Sequence, residues 1–285
     1  MTANYHTHTP RCNHAIGEER EYIERAISCD FKILGFSDHT PQPYPATYHS
    51  GMRMAMSEIE DYVGTLSRLR DEYRDEIQIL IGFEAEYSPK YFAPLISALQ
   101  NYPVDYIIQG QHFVADEITG FYAGEQTWSE QRLSDYAELT VEGMKTGLFS
   151  YLAHPDLLNF LGEDSIFEKH MQKIVETSIA LDIPLEVNML GFETHRHYPS
   201  RRFFKMASKM GAQFVIGCDA HTPEAIRLPS DNLSFQAFLD ECGISVGSNI
   251  INLRSISGAK ILAKTEERDE NQKSYALNLF RHSSR

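Results

Sequence analysis

The sequence predicts an α/β fold organised around a parallel sheet, on three observations. Seven short runs rich in apolar and β-branched residues alternate with longer stretches of helical spacing. No linker or fixed-period repeat divides the 285 residues. Six of the seven runs finish on a histidine or an acid, as expected where side chains at the C-terminal strand ends carry function.

The first expected strand covers residues 4–8, and the first helix 18–29, where Tyr22, Ile23, Ala26 and Ile27 share one face. The second strand, 33–37, precedes a helix at 58–73 with a stripe of Ile59, Tyr62, Val63, Leu66, Leu69 and Tyr73. Strands at 77–84 and 106–111 follow, then a helix at 133–144. The strand at 150–153 leads to a helix at 166–181, that at 184–188 to a helix at 201–210, and that at 213–217 to a helix at 234–242. An apolar run at 244–253 is expected to close the structure, and 264–285 reads as a polar surface segment of a single domain, 1–285. Seven β-then-α units fit an open sheet and a barrel alike, and periodicity does not choose between them.

Hydrophobic residues make up 42% and charged residues 23%, enough to bury a sizeable core. The net charge of −14, with no Lys/Arg run longer than Arg201-Arg202, argues against an extended nucleic-acid partner. An acidic chain that takes an anionic ligand needs local positive charge, which bound cations supply. Cys12, Cys29, Cys218 and Cys242 form no CxxC pair and read as reduced thiols. Met1 leads into Asn4-Tyr5-His6 without a signal segment, so a cytoplasmic location is expected. No apolar run approaches the ~20 residues of a membrane span, and no membrane partner is expected.

The polar strand ends carry the chemistry. His6 and His8, two apart on a strand, point to the same side and can meet one ion. His14 follows in the next loop. Asp38-His39 ends the second strand, Glu84 and Glu86 the third, His112 the fourth, His154 the fifth, and Asp219 with His221 the seventh. One strand-end histidine is most often a hydrogen-bonded structural residue. Six such ends, far apart in sequence, point instead to convergence. Imidazole and carboxylate without thiolate suit Zn, Mn or Fe. Nine of these groups, with Asp38 and Glu86 set aside, exceed the needs of one tetrahedral ion and suit two or three, with Glu84, central among the strands, as the bridge. Clustered ions run hydrolysis by activating a water and clamping the entering and leaving oxygens. The Walker, GxGxxG and GxSxG patterns are missing from the sequence.

Several stretches together resemble the PHP (polymerase and histidinol phosphatase) family. They are Tyr5-His6-Thr7-His8-Thr9 with His14 beyond, Phe36-Ser37-Asp38-His39-Thr40-Pro41 and Gly82-Phe83-Glu84-Ala85-Glu86. Gly110-Gln111-His112, Ala153-His154-Pro155-Asp156 and Gly217-Cys218-Asp219-Ala220-His221 complete the set. The stretch from His8-Thr9-Pro10-Arg11-Cys12 through Glu21-Tyr22-Ile23-Glu24-Arg25-Ala26-Ile27 to Ser37-Asp38-His39 is similar to the stand-alone histidinol-phosphate phosphatases of bacterial histidine biosynthesis. The resemblance implies a distorted seven-stranded, TIM-like β/α barrel holding three divalent ions. It implies one ion on His6, His8, Glu84 and Asp219, a second on Glu84, His112 and His154, and a third on His14, His39 and His221. It further implies hydrolysis of L-histidinol phosphate, a small phosphate ester, by metal-activated water. A nucleotide or other small ester is the alternative; an amide hydrolase and a non-catalytic scaffold are further readings. Glu84, Asp219 and His221 are the expected catalytic residues.

Outside this set, Arg196 is the candidate phosphate fork. His195 and His197 flank it as further substrate-binding candidates and alternate sides if extended, so at most one faces the site. Asp38 and Asp156 are candidates either to orient a histidine or to cap a loop. Glu86 reads as a support for the site or a surface acid, and Arg53 as structural rather than an anion contact. Cys218 reads as a buried inert thiol. His49, His170 and His282 read as structural or exposed, and Phe121, Tyr122 and Trp128 as a ring wall or as packing.

Overall fold

The computed structural model describes residues 1–257. The expected polar segment at 264–285, with His282, lies outside the described residues. Strands β1 (Ala3–Asn4), β2 (Ile33–His39), β3 (Gln78–Ala85) and β4 (Tyr106–Gln109) form a parallel sheet in that order. Helices α1 (Glu19–Ser28), α2 (Ile59–Glu72) and α3 (Phe92–Leu99) connect them. An antiparallel hairpin of β5 (Phe113–Val114) and β6 (Phe121–Tyr122) follows, then α4 (Glu130–Met144) and α5 (Asp164–Leu181). Next, β7 (Leu185–Asn188) pairs in parallel with β8 (Phe214–Gly217) across α6 (Met189–Glu193) and α7 (Arg201–Met210), and α8 (Leu233–Cys242) is the last helix among the described residues.

Local sequence accounts for the helices. Glu18 and Glu21 form a reciprocal capping box at the start of α1. α2 buries Ile59, Tyr62, Val63, Leu66 and Leu69, spaced three and four apart. At the start of α7 the Ser200 side chain accepts from the Phe203 N–H, and the helix stops at Gly211, whose φ of 86° suits glycine. α3 is not legible from periodicity, because it is apolar on most sides and carries Pro94. In the first turn of a helix the missing proline N–H costs little.

Seven continuous strands are not seen among the described residues. Residues 150–153 form no strand: Leu152 makes single parallel bridges to Gln109 and to Leu185. Pro184 offers no N–H to lengthen that ladder, and His154 turns the chain away at φ 27°. The first strand stops at Asn4. The Asn4 amide donates to the His6 carbonyl (3.2 Å) and to Thr7 Oγ1 (2.8 Å), and its Oδ1 accepts from the Cys218 N–H (2.9 Å), in place of ladder bonds. Pairing resumes at Thr7, bridged to Ala220.

Successive strand residues face opposite ways, and two apolar layers result. The larger lies between sheet and helices. The smaller, on the other face, gathers Tyr5, Tyr106, Ile108, Tyr151, Ala153 and Val215. Tyr106 fits there because Gly35 and Gly82 lack side chains: a Cβ on either would lie 2.2 or 2.4 Å from its side-chain atoms. Ile251 and Leu253 pack against this cluster. The run at 244–253 therefore covers the inner layer without forming helix or strand. Among the described residues no helix is long and apolar enough to cross a membrane.

Candidate metal centre

Strand register builds the site. β2 pairs with β3 so that His39 lies opposite Glu84, and β3 pairs with β4 so that Ala85 lies opposite Gln109. The next residue, Gly110, leaves the space that Glu84 fills, since a Cβ there would lie 1.8 Å from Glu84 Oε1. The Glu84 carboxylate is buried and central. Its Oε1 is 2.7 Å from His154 Nε2 and 3.5 Å from His112 Nε2. Its Oε2 is 2.9 Å from His39 Nδ1, 3.5 Å from His6 Nε2 and 3.7 Å from His8 Nε2. Asp219 Oδ1 lies 3.4 Å from His6 Nε2, 3.1 Å from His8 Nε2 and 3.5 Å from His221 Nδ1. His221 Nε2 faces His14 Nε2 at 2.9 Å. The nine candidate donors thus meet in one place.

Most of these rings are aimed from behind. Glu186 accepts from His6 Nδ1 (2.7 Å) and from the His154 N–H (3.0 Å). Asn188 donates to Glu186 Oε2 (2.9 Å) and to Asp219 Oδ2 (3.0 Å). Gly217 makes room for this carboxylate, since a Cβ there would lie 1.8 Å from Glu186 Oε1. Asp38 fills both roles weighed for it: Oδ1 lies 3.4 Å from His8 Nδ1, and Oδ2 accepts from the Thr9 N–H at 3.2 Å. Glu86 Oε1 accepts from His112 Nδ1 at 3.0 Å. A carboxylate can only accept, so in each pair the proton sits on Nδ1 and Nε2 is left to face the cluster. His14 Nδ1 and His221 Nδ1 instead face the carbonyls of Cys12 (2.7 Å) and Asp219 (3.0 Å).

The charges are mutually dependent. Burial opposes ionisation of Glu84, yet His112, His39 and His6 hold its carboxyl well below the usual range. Burial likewise opposes a charged Asp219, and His6 and His8 hold it well below. Burial also disfavours charge on His6 and His8. Glu186, Asp219 and Glu84 nevertheless push His6 well above an ordinary imidazole, and Asp219 and Asp38 do the same for His8. Burial and the His8 charge push His221 down to about 3, so it is neutral near pH 7.

Whether a cation fits here is decided by atoms with nothing else to bind. His6 Nε2, His8 Nε2, His39 Nδ1 and Glu84 Oε2 are buried without a hydrogen-bond partner. The 2.9 Å approach of His39 to Glu84 is an ion-pair distance without hydrogen-bond geometry. Buried polar atoms are rarely left so, and three imidazole nitrogens within 3.7 Å of an equally unpartnered carboxylate oxygen suit metal coordination. Ligand atoms lie within 4.8 Å of one another in the sets His6–His8–Asp219, His6–Glu84–His154, His8–His39–Glu84 and His14–His39–His221. His112 belongs to no such set, and Cys12 joins His8 and His221 in a fifth.

Above the donors opens a cleft of about 210 Å³. Beyond the donors its walls are Met52, Tyr122, Leu157, Leu190, Arg196 and Tyr198. The PHP domain pattern matches residues 4–190. The chain belongs to the PHP domain family. A probable histidinol-phosphatase from Deinococcus radiodurans is 28% identical over 229 residues, 76% of this chain and 85% of that protein. A probable histidinol-phosphatase from Schizosaccharomyces pombe is 28% identical over 273 residues, 86% and 88% of the two chains. Among solved structures, the histidinol phosphate phosphatase of Lactococcus lactis, complexed with zinc, L-histidinol and phosphate, superposes with a TM-score of 0.67 at 16% identity. It covers 90% of this chain and 98% of that one. At that identity the likeness concerns the fold. The resemblance read from the motifs is borne out.

The PHP chain places its remaining candidates unevenly. Arg196 lines the cleft, and its Nη1 donates to the Tyr198 hydroxyl at 2.8 Å. His195 and His197 do not line it, contrary to expectation. The loop is not extended here. α6 ends in a turn where His195 has φ 55°, and His197 Nε2 donates away, to the Leu157 carbonyl at 2.6 Å. Tyr122 reaches the cleft, whereas Trp128 is 66% exposed and Phe121 lies under Arg132. Cys218 is buried and burial pushes its thiol up to about 12, an inert state. His170 is buried against Glu130, and His49 is exposed. Glu186, Asn188, Tyr198 and Cys12 escape sequence reasoning. Only Cys12 carries a usable signal, its place between His8 and His14.

Proposed function

We propose that this protein is a metal-dependent phosphomonoesterase that hydrolyses L-histidinol phosphate to L-histidinol and phosphate. The carrying observation is the set of buried, partnerless donor atoms beneath a small cleft with an arginine in its wall. The names of the two similar curated proteins support the phosphatase class and the substrate, and the zinc, L-histidinol and phosphate of the Lactococcus protein support the same reading. We read the fold as a distorted barrel of seven chain segments. The parallel bridges at Thr7–Ala220, Gln109–Leu152 and Leu152–Leu185 support closure.

Three divalent ions are assigned to His6, His8, Glu84 and Asp219; to Glu84, His112 and His154; and to His14, His39 and His221. Such ions supply Lewis acidity toward a phosphoryl oxygen and toward water. The chain's own groups do the rest. Glu84 and Asp219 stay ionised, so Asp219 serves as a donor to the cluster and not as the acid for the leaving alkoxide. His221, neutral at pH 7, keeps a lone pair available. The Arg196 guanidinium, oriented by the Tyr198 hydroxyl, offers a planar fork to two phosphoryl oxygens. Met52, Tyr122, Leu157 and Leu190 wall the remainder of the ester and exclude water. A cleft of about 210 Å³ on a chain of net charge −14 suits a small ester and not a nucleic-acid strand.

The test is phosphate release from L-histidinol phosphate and from a 3′-phosphonucleotide, and ring opening of a cyclic amide, on protein of measured metal content. The expected result is preferred turnover of L-histidinol phosphate. Turnover of another member of the panel with none of L-histidinol phosphate would overturn the assignment.

A further inference from the structure

Behind His112 lies a buried ion network that the proposed chemistry does not touch. Arg53, in the loop between β2 and α2, is 3% exposed. Its Nη2 donates to Glu86 Oε1 at 2.6 Å, and its Nε donates to Glu117 Oε2 at 2.6 Å. The same Glu86 oxygen accepts from His112 Nδ1 (3.0 Å) and from the His112 backbone N–H (3.3 Å). Glu117, in the β5–β6 turn, also accepts from Ser50 Oγ (2.6 Å) and the Tyr48 hydroxyl (3.1 Å). One guanidinium therefore ties together three segments around the cleft. They are the loop bearing Met52, the end of β3 bearing Glu84 and Glu86, and the hairpin bearing Tyr122.

This arrangement is costly as a mere structural tie. A buried guanidinium must be fully paired to be tolerated, yet Arg53 Nη1 is buried without a partner. The fork serves two carboxylates on different segments at once, which a lysine's single ammonium does not reproduce in fixed geometry. We propose that Arg53 is a positioning residue. It fixes Glu86 so that His112 carries its proton on Nδ1 and turns Nε2 to Glu84, and it holds the Met52–Tyr122 wall in place.

The inference rests on the reading of the cluster as a metal centre, and the experiment separates the two. Zinc is titrated against a chromogenic chelator into metal-free wild-type, Arg53→Met, Arg53→Lys and Glu117→Gln proteins. The histidine ring nitrogens of the metal-free proteins are recorded by ¹⁵N NMR. Arg53→Met should lower zinc affinity at one class of site by about tenfold, the low end for loss of a group supporting a ligand, and the His112 signals should lose the Nδ1–H tautomer. Arg53→Lys should restore affinity only in part. Should Arg53→Met not fold, Glu117→Gln, which loosens one end of the clamp, should show a smaller change in the same direction. A folded Arg53→Met protein with wild-type zinc affinity and wild-type His112 signals overturns the proposal. If wild-type protein takes up no zinc, the metal reading fails, and the ring signals alone decide whether Arg53 acts as proposed.

Discussion

A single methyl group at position 110 separates a role for Glu84 in turnover from a role in folding. A Cβ on Gly110 would lie 1.8 Å from Glu84 Oε1, 2.5 Å from its Cδ and 2.7 Å from its Cγ. Gly110 is not in the left-handed region, so alanine is acceptable to the backbone and the steric load falls on the carboxylate. Reaching even a tight 3.0 Å contact requires Oε1 to retreat by about 1.2 Å. The contacts of Glu84 with His154 at 2.7 Å and His39 at 2.9 Å cannot both survive that shift. A misplacement of about 1 Å costs ~10²-fold in rate, while overpacking by one methyl costs ~1–3 kcal/mol of stability. Gly110→Ala should therefore fold, melt a few degrees lower, and lose at least about 10²-fold in kcat for phosphate release. Gly64→Ala is the control. It lies on exposed α2 surface with nothing within 4 Å, and should gain ~0.5–1 kcal/mol with kcat unchanged. Wild-type kcat and metal content in Gly110→Ala would refute the placement of Glu84 at the reacting centre.

Glu84→Ala and His112→Ala should each strip metal and abolish turnover; full activity at wild-type metal content in either contradicts the mechanism. Metal binding should release protons near pH 7, because His6 and His8 are held well above an ordinary imidazole in the metal-free protein. Their stabilisation of that form is full below the unfolded pKa of ~6.5 and is lost as pH rises through the raised folded values, while metal affinity tightens over the same range. Calorimetry in two buffers of different ionisation enthalpy measures the release, and no dependence on buffer would count against it. Asp156, whose carboxyl is pushed up to about 6 by burial, should make wild-type stability fall between its unfolded pKa and pH 6. Asp156→Asn should remove up to ~3 kcal/mol of that fall, read by urea unfolding of both metal-free proteins across pH. Chelation should lower the melting temperature by roughly 10 °C if ions at ~1,000 times their Kd contribute ~4 kcal/mol; an unchanged melting curve would show that the donors hold no ion.

The donors were legible because their spacing has a mechanical meaning. His6 and His8 on one side of a strand, and Asp219 and His221 just past another, announce a shared site before any packing is known. Helices with a one-sided stripe, such as α2 and α7, were legible for the same reason. What supports the donors was not. Glu186 sits inside Leu185–Asn188 and looks like any strand residue until Gly217, distant in sequence, leaves the space it occupies. Arg53 reads as a loop arginine until Glu86 and Glu117 come to it from two other segments. His195 and His197 are not legible, because alternation holds for extended residues and the chain turns at His195. Residues 150–153 misled in the opposite direction, since a β-rich run bridged on both sides need not form a continuous strand.

The buried charge explains why such support is needed. Asp38, Glu84, Glu86, Glu186 and Asp219 are all buried around the cluster, and among the described residues the one buried arginine beside them is Arg53. Histidines can offset the remainder by taking protons, as His6 and His8 do, but each proton held in this way occupies a lone pair that coordination requires. On the metal reading, proton and cation therefore compete for the same lone pairs, and either one offsets the buried acids. A cluster of neutral imidazoles would need no such surrounding acids. Carboxylates on the Nδ1 side of His6, His8 and His112 make sense if those rings spend most of their time facing a multiply charged cation, whose repulsion of the Nδ1 proton they offset.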